Sequence, residues 1–168
     1  MERHLGRDAV SGCLAGIMGA ACMGVFVILA AVAWGMNWYA PLELVGGMAT
    51  GSTARFDAGI QGGTAAAGAA FHFALGAGWG ILFGLVAGRF LDEITPREGL
   101  WIGAMFGIVV WIIDVFTILP RLDPVAARAI PLWFGALTNM GYGAVVGGSF
   151  HFFRRHEHHG TPDLGSAR

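Results

Sequence analysis

VSGCLAGIMGAACMGVFVILAAVAW occupies residues 10–34 and contains no charged side chain. A helix that crosses a hydrocarbon core of about 30 Å needs about 20 such residues, so this run is long enough to span. It is too long for the apolar part of a signal peptide. Val10-Ser11-Gly12-Cys13 has the form of a lipoprotein cleavage box. Such a box follows its apolar run, whereas this one opens it, so the segment is read as a retained helix.

Three more runs follow. Ala58 to Gly88 and Ala129 to Phe153 carry no charge, and Gly99 to Pro120 carries one, Asp114. The second span is expected to begin near Ala66, because Gly59, Gly62 and Gly63 precede it. The expected fold is all-α, an integral membrane four-transmembrane-helix bundle. Its spans lie at about 10–34, 66–90, 99–119 and 131–153, inside one domain of residues 10–153. Residues 1–9 form a tail, and residues 154–168 form a polar tail with His and Arg. A β-barrel needs segments of about ten residues with period-2 alternation, which these runs lack.

Composition agrees with this assignment. Charged residues make up 12% of the chain, and mean hydropathy is +0.63. So few charges could not cover the surface of a soluble domain, but lipid covers an apolar face. The net charge is −1 and every basic residue is Arg. No basic and aromatic patch lies outside the apolar runs, so a nucleic-acid partner is not expected. Cys13 and Cys22 fall on opposite sides of one helix and cannot bridge each other. With no His beside them they make a poor metal site.

Arg placement sets the orientation. Arg3, Arg7, Arg89, Arg97, Arg154, Arg155 and Arg168 collect on one side of the expected spans, against Arg55, Arg121 and Arg128 on the other. Both termini are therefore expected in the cytoplasm, and the protein in the cytoplasmic (inner) membrane of a prokaryote. Leu42 to Ala49 reads as a short interfacial helix in the first outer loop. Asp123-Pro124 reads as a helix N-cap with Pro at the first position, opening a turn over 125–129. The run from Arg154 to His159 reads as a solvated cap that faces headgroups.

The sharpest pattern is a four-residue ladder of small residues on each helix. The first carries Gly12, Gly16, Ala20 and Gly24. The second carries Gly68, His72, Gly76, Gly80, Gly84 and Gly88. The third carries Gly99, Gly103 and Gly107, and the fourth Gly135, Asn139, Gly143, Gly147 and His151. Small residues at this spacing let helix backbones approach closely in lipid. Gly78-Trp79-Gly80 with Gly84 matches Gly141-Tyr142-Gly143 with Gly147. Gly12 and Gly16 parallel Gly99 and Gly103. The pattern suggests two tandem two-helix repeats about an axis along the membrane normal.

Polar residues lie in or beside the ladders: His72, Asp114 and Asn139, with Thr117 and Thr138 able to complete the group. At 1.5 Å per residue, His72 and Asp114 each fall roughly 7–8 Å outward of the midpoint of their helices. A charged Asp at such depth costs about 2.5–3.5 kcal/mol unless it is neutral, paired or hydrated. By depth, His72 is its expected partner and Arg121 the next. His72 is a weaker candidate for a haem or metal ligand, because His151 lies at the opposite end of its helix. There is no Gly-x-Ser-x-Gly, no His-Glu-x-x-His, no phosphate loop and no Cys-x-x-Cys, so no catalytic residues, metal or cofactor are expected.

His72-Phe73, Trp79-Gly80, Leu119-Pro120 and Pro131-Leu132-Trp133-Phe134-Gly135, set in this order of helices and loops, resemble small bacterial inner-membrane proteins of the YagU-like family. The resemblance covers most of residues 10–153. It implies a four-helix inner-membrane protein and implies no activity. The leading expectation is a non-enzymatic accessory or structural subunit, packed through its glycines with itself as a homo-oligomer or with other membrane subunits. The alternatives are a small transporter or channel subunit with a protonatable site toward the outer face, and then a haem-carrying subunit.

Overall fold

The computed structural model describes residues 2–51, 59–90, 95–124, 127 and 130–156. All regular structure among them is helical. Helix α1 spans Glu2–Ala33, α2 Ala40–Thr50, α3 Gly62–Phe90 and α4 Pro96–Ile113. A π-helical turn over Asp114–Ile118 and a short α5, Leu119–Leu122, continue α4, and α6 spans Leu132–His156. Three helical stretches are long and apolar enough to cross a membrane: Leu5–Ala33, Gly62–Phe90 and Pro96–Leu122. Most of the turn expected over 125–129, Arg55, Arg128, and the tail from Glu157 onward lie outside the described residues.

Local chemistry explains where the helices start and bend. Helix α4 opens at Pro96, three residues before the expected Gly99. Thr95 caps it, accepting from the Glu98 N–H at 3.3 Å, while Glu98 accepts from the Thr95 N–H at 2.9 Å. That reciprocal pair satisfies two donors that a bare helix start leaves open. The π turn closes with the Leu119 N–H on the Asp114 carbonyl. Pro120 follows at once; it has no N–H to give, and its ring crowds the carbonyl four residues back, so the regular ladder cannot continue unchanged. Helix α2 stops at Gly51, whose φ of +68° supplies the left-handed end that L side chains rarely adopt. Helix α3 begins at Gly62 rather than Ala66, so the glycines before Ala66 are partly helical.

Helices α1 and α3 pack antiparallel, with backbone against backbone. A Cβ placed on Gly12 would strike the Gly80 carbonyl and Gly84 Cα, and one on Gly16 would strike the Gly76 carbonyl and Gly80 Cα. Helices α4 and α6 do the same. Gly103 faces the Gly143 carbonyl and Gly147 Cα, Gly107 faces the Asn139 carbonyl, and Gly99 faces the Gly147 carbonyl. These like contacts align Gly12 with Gly103 and Gly16 with Gly107, one helical turn later than the sequence pattern suggests. Asp8, whose carbonyl meets Gly84, then corresponds to Gly99.

The two pairs join through α1 and α6, which are also antiparallel. Phe26 stacks on Phe134 with centroids 6.0 Å apart, and Gly19 abuts Tyr142 and Val146. Helices α3 and α4 hardly meet by backbone, and the space between them is filled by Trp79, Phe83 and Phe106. The core is Ala15, Ala20, Phe83, Ala87, Tyr142, Val146 and Phe150. The start of α1 and the end of α6 lie at one end of the bundle, the terminal end, where Arg154 pairs with Asp8 at 3.2 Å. Trp34 and Trp133 mark the distal end. Large apolar side chains point outward, among them Val25 at 60% exposure, Leu29 at 63% and Trp101 at 67%.

Candidate functional site

At the distal end the helices part around a cavity of about 360 Å³. Its wall comes from the second half of α1, from α2, from His72 on α3, from the π turn and from the start of α6. Most of that wall is apolar, with Val27, Ile28, Leu44, Val45 and Phe134 among its residues. Four polar side chains with hydrogen-bonding groups interrupt it: His72, Asp114, Thr138 and Asn139. Small-molecule sites are typically clefts of about 300–1,000 Å³, mainly apolar, with a few converging polar groups.

Each polar group is held by a traceable local cause. His72 sits opposite Gly24, and a Cβ at Gly24 would lie 3.5 Å from its Nε2. That nitrogen donates to the Ala20 carbonyl at 2.9 Å. A carbonyl oxygen only accepts, so Nε2 carries the hydrogen. Thr138 Oγ1 and Asn139 Nδ2 both donate to the Gly135 carbonyl, each at 3.0 Å. Gly135 has no side chain, and the Trp111 indole fills the space. Asp114 opens the π turn, a kind of irregularity that often marks a functional position in a helix. Its Oδ1 is buried and makes no close hydrogen bond; the Trp79 indole is the donor set toward the carboxylate, and the Nε1 atoms of Trp79 and Trp111 also make no close bond.

Of the five polar residues singled out in the sequence, four share this cavity. Thr117 does not line it: its side chain is exposed, and its carbonyl accepts from Arg121. His72 and Asp114 face the same space with no hydrogen bond or ion pair between them; His72 is engaged by Ala20 and Arg121 by Thr117. Asp114 therefore has neither of its two expected partners. Among the described residues, no three His, Cys, Asp or Glu come together.

The glycines divide into those that meet backbone and those that meet side chains. Gly12, Gly16, Gly80, Gly84, Gly99, Gly103, Gly107, Gly143 and Gly147 meet the backbone of the facing helix. Gly76 faces the Ala20 Cβ and Gly16, Gly88 faces the Asp8 carboxylate, and Gly135 faces Trp111. Gly78 and Gly141, each just before an aromatic residue, have nothing within 4 Å.

Three interactions escape a reading of the sequence. Asp8 is 5% exposed and pairs with Arg154 across α1 and α6. Glu43, at 1% exposure, accepts from the Gln61 N–H and ties α2 to the start of α3. The Tyr142 hydroxyl donates to the Gly76 carbonyl at 2.6 Å. Only the first had a signal, an acid and an Arg at the same end of two expected spans.

Neither a curated protein nor a solved structure matches the chain. A family model described as a family of unknown function (DUF6789) matches residues 6–161, a stretch that holds the cavity and every helix that walls it, and the chain belongs to that family.

Proposed function

We propose that this protein holds a small, mainly apolar molecule in the distal cavity, as a small transporter or a channel-type binding subunit of a prokaryotic cytoplasmic membrane. The observation that carries this reading is the cavity of about 360 Å³ with His72, Asp114, Thr138 and Asn139 on its wall. No reaction is part of the proposal.

The reading makes α6 a fourth span, with both termini in the cytoplasm and the cavity toward the outer face. Helix α6 is less apolar than the others, yet its polar side chains are satisfied inside the protein. Thr138 and Asn139 bond Gly135, Ser149 bonds Val145, and Tyr142 bonds Gly76. Such masking is what lets polar residues sit at membrane depth. The two like-packed pairs, α1 with α3 and α4 with α6, support a tandem repeat. The resemblance to YagU-like proteins agrees with a four-span architecture.

An accessory subunit that associates through its glycine ladders is the second reading. It needs ladders free to meet another chain, and most ladder glycines here face residues of the same chain. That ranks it below the cavity reading.

Native mass spectrometry of protein gently extracted from its host membrane tests the proposal. The expected result is an added mass in the small-molecule range that Val27→Trp, which fills the cavity, removes. A bare chain, or an added mass indifferent to Val27→Trp, overturns it. A foreign subunit in place of a small molecule would favour the accessory reading.

A further inference from the structure

The hydrogen-bonding state of the cavity wall narrows what the cavity can hold. His72 Nε2, Thr138 Oγ1 and Asn139 Nδ2 each direct one hydrogen at a backbone carbonyl. What these side chains still offer is mostly acceptors, the Thr138 oxygen and Asn139 Oδ1, together with the second ring nitrogen of His72 and the second amide hydrogen of Asn139. Asp114 adds a carboxyl whose buried Oδ1 makes no close hydrogen bond. Beside them stand two indole N–H groups, the buried one of Trp111 and that of Trp34.

Charge points the same way. Among the described residues, Asp114 is the only formally charged one on the wall. Arg121, seven residues beyond Asp114, is turned to the Thr117 carbonyl. Aromatic faces complete the surroundings, with Trp34, Trp111 and Phe134 on the wall and Trp34 packed on Phe134 at 4.8 Å between centroids. An aromatic face attracts a cation, most strongly where water is excluded.

We propose that the cavity selects an organic ammonium ion, an apolar body carrying one N–H-bearing cationic head, with Asp114 as its counter-ion and Asn139, Thr138 and His72 as acceptors. An apolar body fits the Val27, Ile28, Leu44 and Val45 wall. A carboxylate head of the same size would meet Asp114 with like charge and find no cation among the described residues of the wall. An alcohol would be accepted without the charge-assisted bond. The inference rests on the small-molecule reading of the cavity.

Equilibrium binding to protein in phosphatidylcholine nanodiscs tests it, with empty nanodiscs of the same lipid subtracted. Three probes share one body and differ in the head: 4-phenylbutylammonium, 4-phenylbutanol and 4-phenylbutyrate. The ammonium is expected to bind about tenfold or more tighter than the alcohol, the size of one hydrogen bond to a charged group. The butyrate should be weakest. Asp114→Asn should bring the ammonium down to the alcohol's affinity and leave the alcohol unchanged. Asp114→Glu, which keeps the charge, should retain a preference for the ammonium and guards against reading a folding defect as a lost counter-ion.

Equal affinity for ammonium and alcohol, both lost in Val27→Trp, overturns the ammonium assignment and leaves the cavity reading standing. Unchanged ammonium preference in Asp114→Asn overturns it too. Binding of all three probes that is absent or indifferent to Val27→Trp brings down both.

Discussion

Gly16 and Gly103 show at the scale of one residue what holds the pairs together. Each presents bare backbone to a carbonyl of the facing helix, Gly76 and Gly143 respectively. Replacing either with Val forces the helices apart, and overpacking of this kind costs about 1–3 kcal/mol or more. Thermal unfolding in detergent should show the loss. Gly78→Ala and Gly141→Ala are the controls, since a Cβ there meets nothing. They should be neutral or stabilising by up to about 1 kcal/mol, the helix advantage of Ala over Gly. Equal damage from all four substitutions would show that helix propensity and not close approach is at stake. The ladder spacing was legible in the sequence, because a four-residue period survives without coordinates. Which glycine faces which was not, since every ladder has the same spacing and a slip of one turn changes nothing in the pattern.

Helix α2 is the element whose role the sequence described least well. Its length was nearly legible, from Pro41 near its start and the glycines within it. Its attachment was not: Gly46 lies against Thr64, Gly68 lies under the Leu42 carbonyl, and Glu43 is buried against the Gln61 N–H. A Glu in a short loop helix reads as solvated until a second element covers it. Because α2 forms part of the cavity wall, this anchor fixes the shape of the site. Glu43→Ala removes the acceptor of the half-buried bond from the Gln61 N–H, at a cost of about 1 kcal/mol. Glu43→Gln keeps an acceptor at that point and should recover most of the loss. Melting temperatures of the two variants, side by side, check this. If Gln proves as damaging as Ala, the bond to Gln61 is not what holds α2.

On the scale of the whole molecule, three long apolar helices suit a surface covered by lipid. Val25, Leu29, Trp101 and Met105 face outward, and burying them in one small soluble core is impossible at this chain length. The proposed orientation places Asn37, exposed at the distal end, outside the cell and Gly6, exposed at the terminal end, inside. In a chain freed of Cys13 and Cys22, Asn37→Cys should react with a membrane-impermeant maleimide on intact cells. Gly6→Cys should react only after the membrane is opened. The reverse pattern would invert the topology and put the cavity toward the cytoplasm, without touching its chemistry.

Long uncharged runs by themselves determined that the chain is helical and suited to a membrane. Hydrocarbon tolerates no unpaired backbone, so such runs leave a single-chain segment little alternative to a helix. The same reasoning singled out His72, Asp114, Asn139 and Thr138 as polar residues at unusual depth. Only the tertiary structure decided how they act. Each has a backbone carbonyl or an empty space as its neighbour according to the small residue opposite it, Ala20 and Gly24 for His72 and Gly135 for Thr138 and Asn139. Those pairings depend on helix register and rotation, quantities that hydrophobic period does not carry. Asp114 lacks an ion-pair partner, the basis of the proposed preference for a cationic head, because the π turn and the register set it toward the cavity and the Trp79 indole instead of His72 or Arg121.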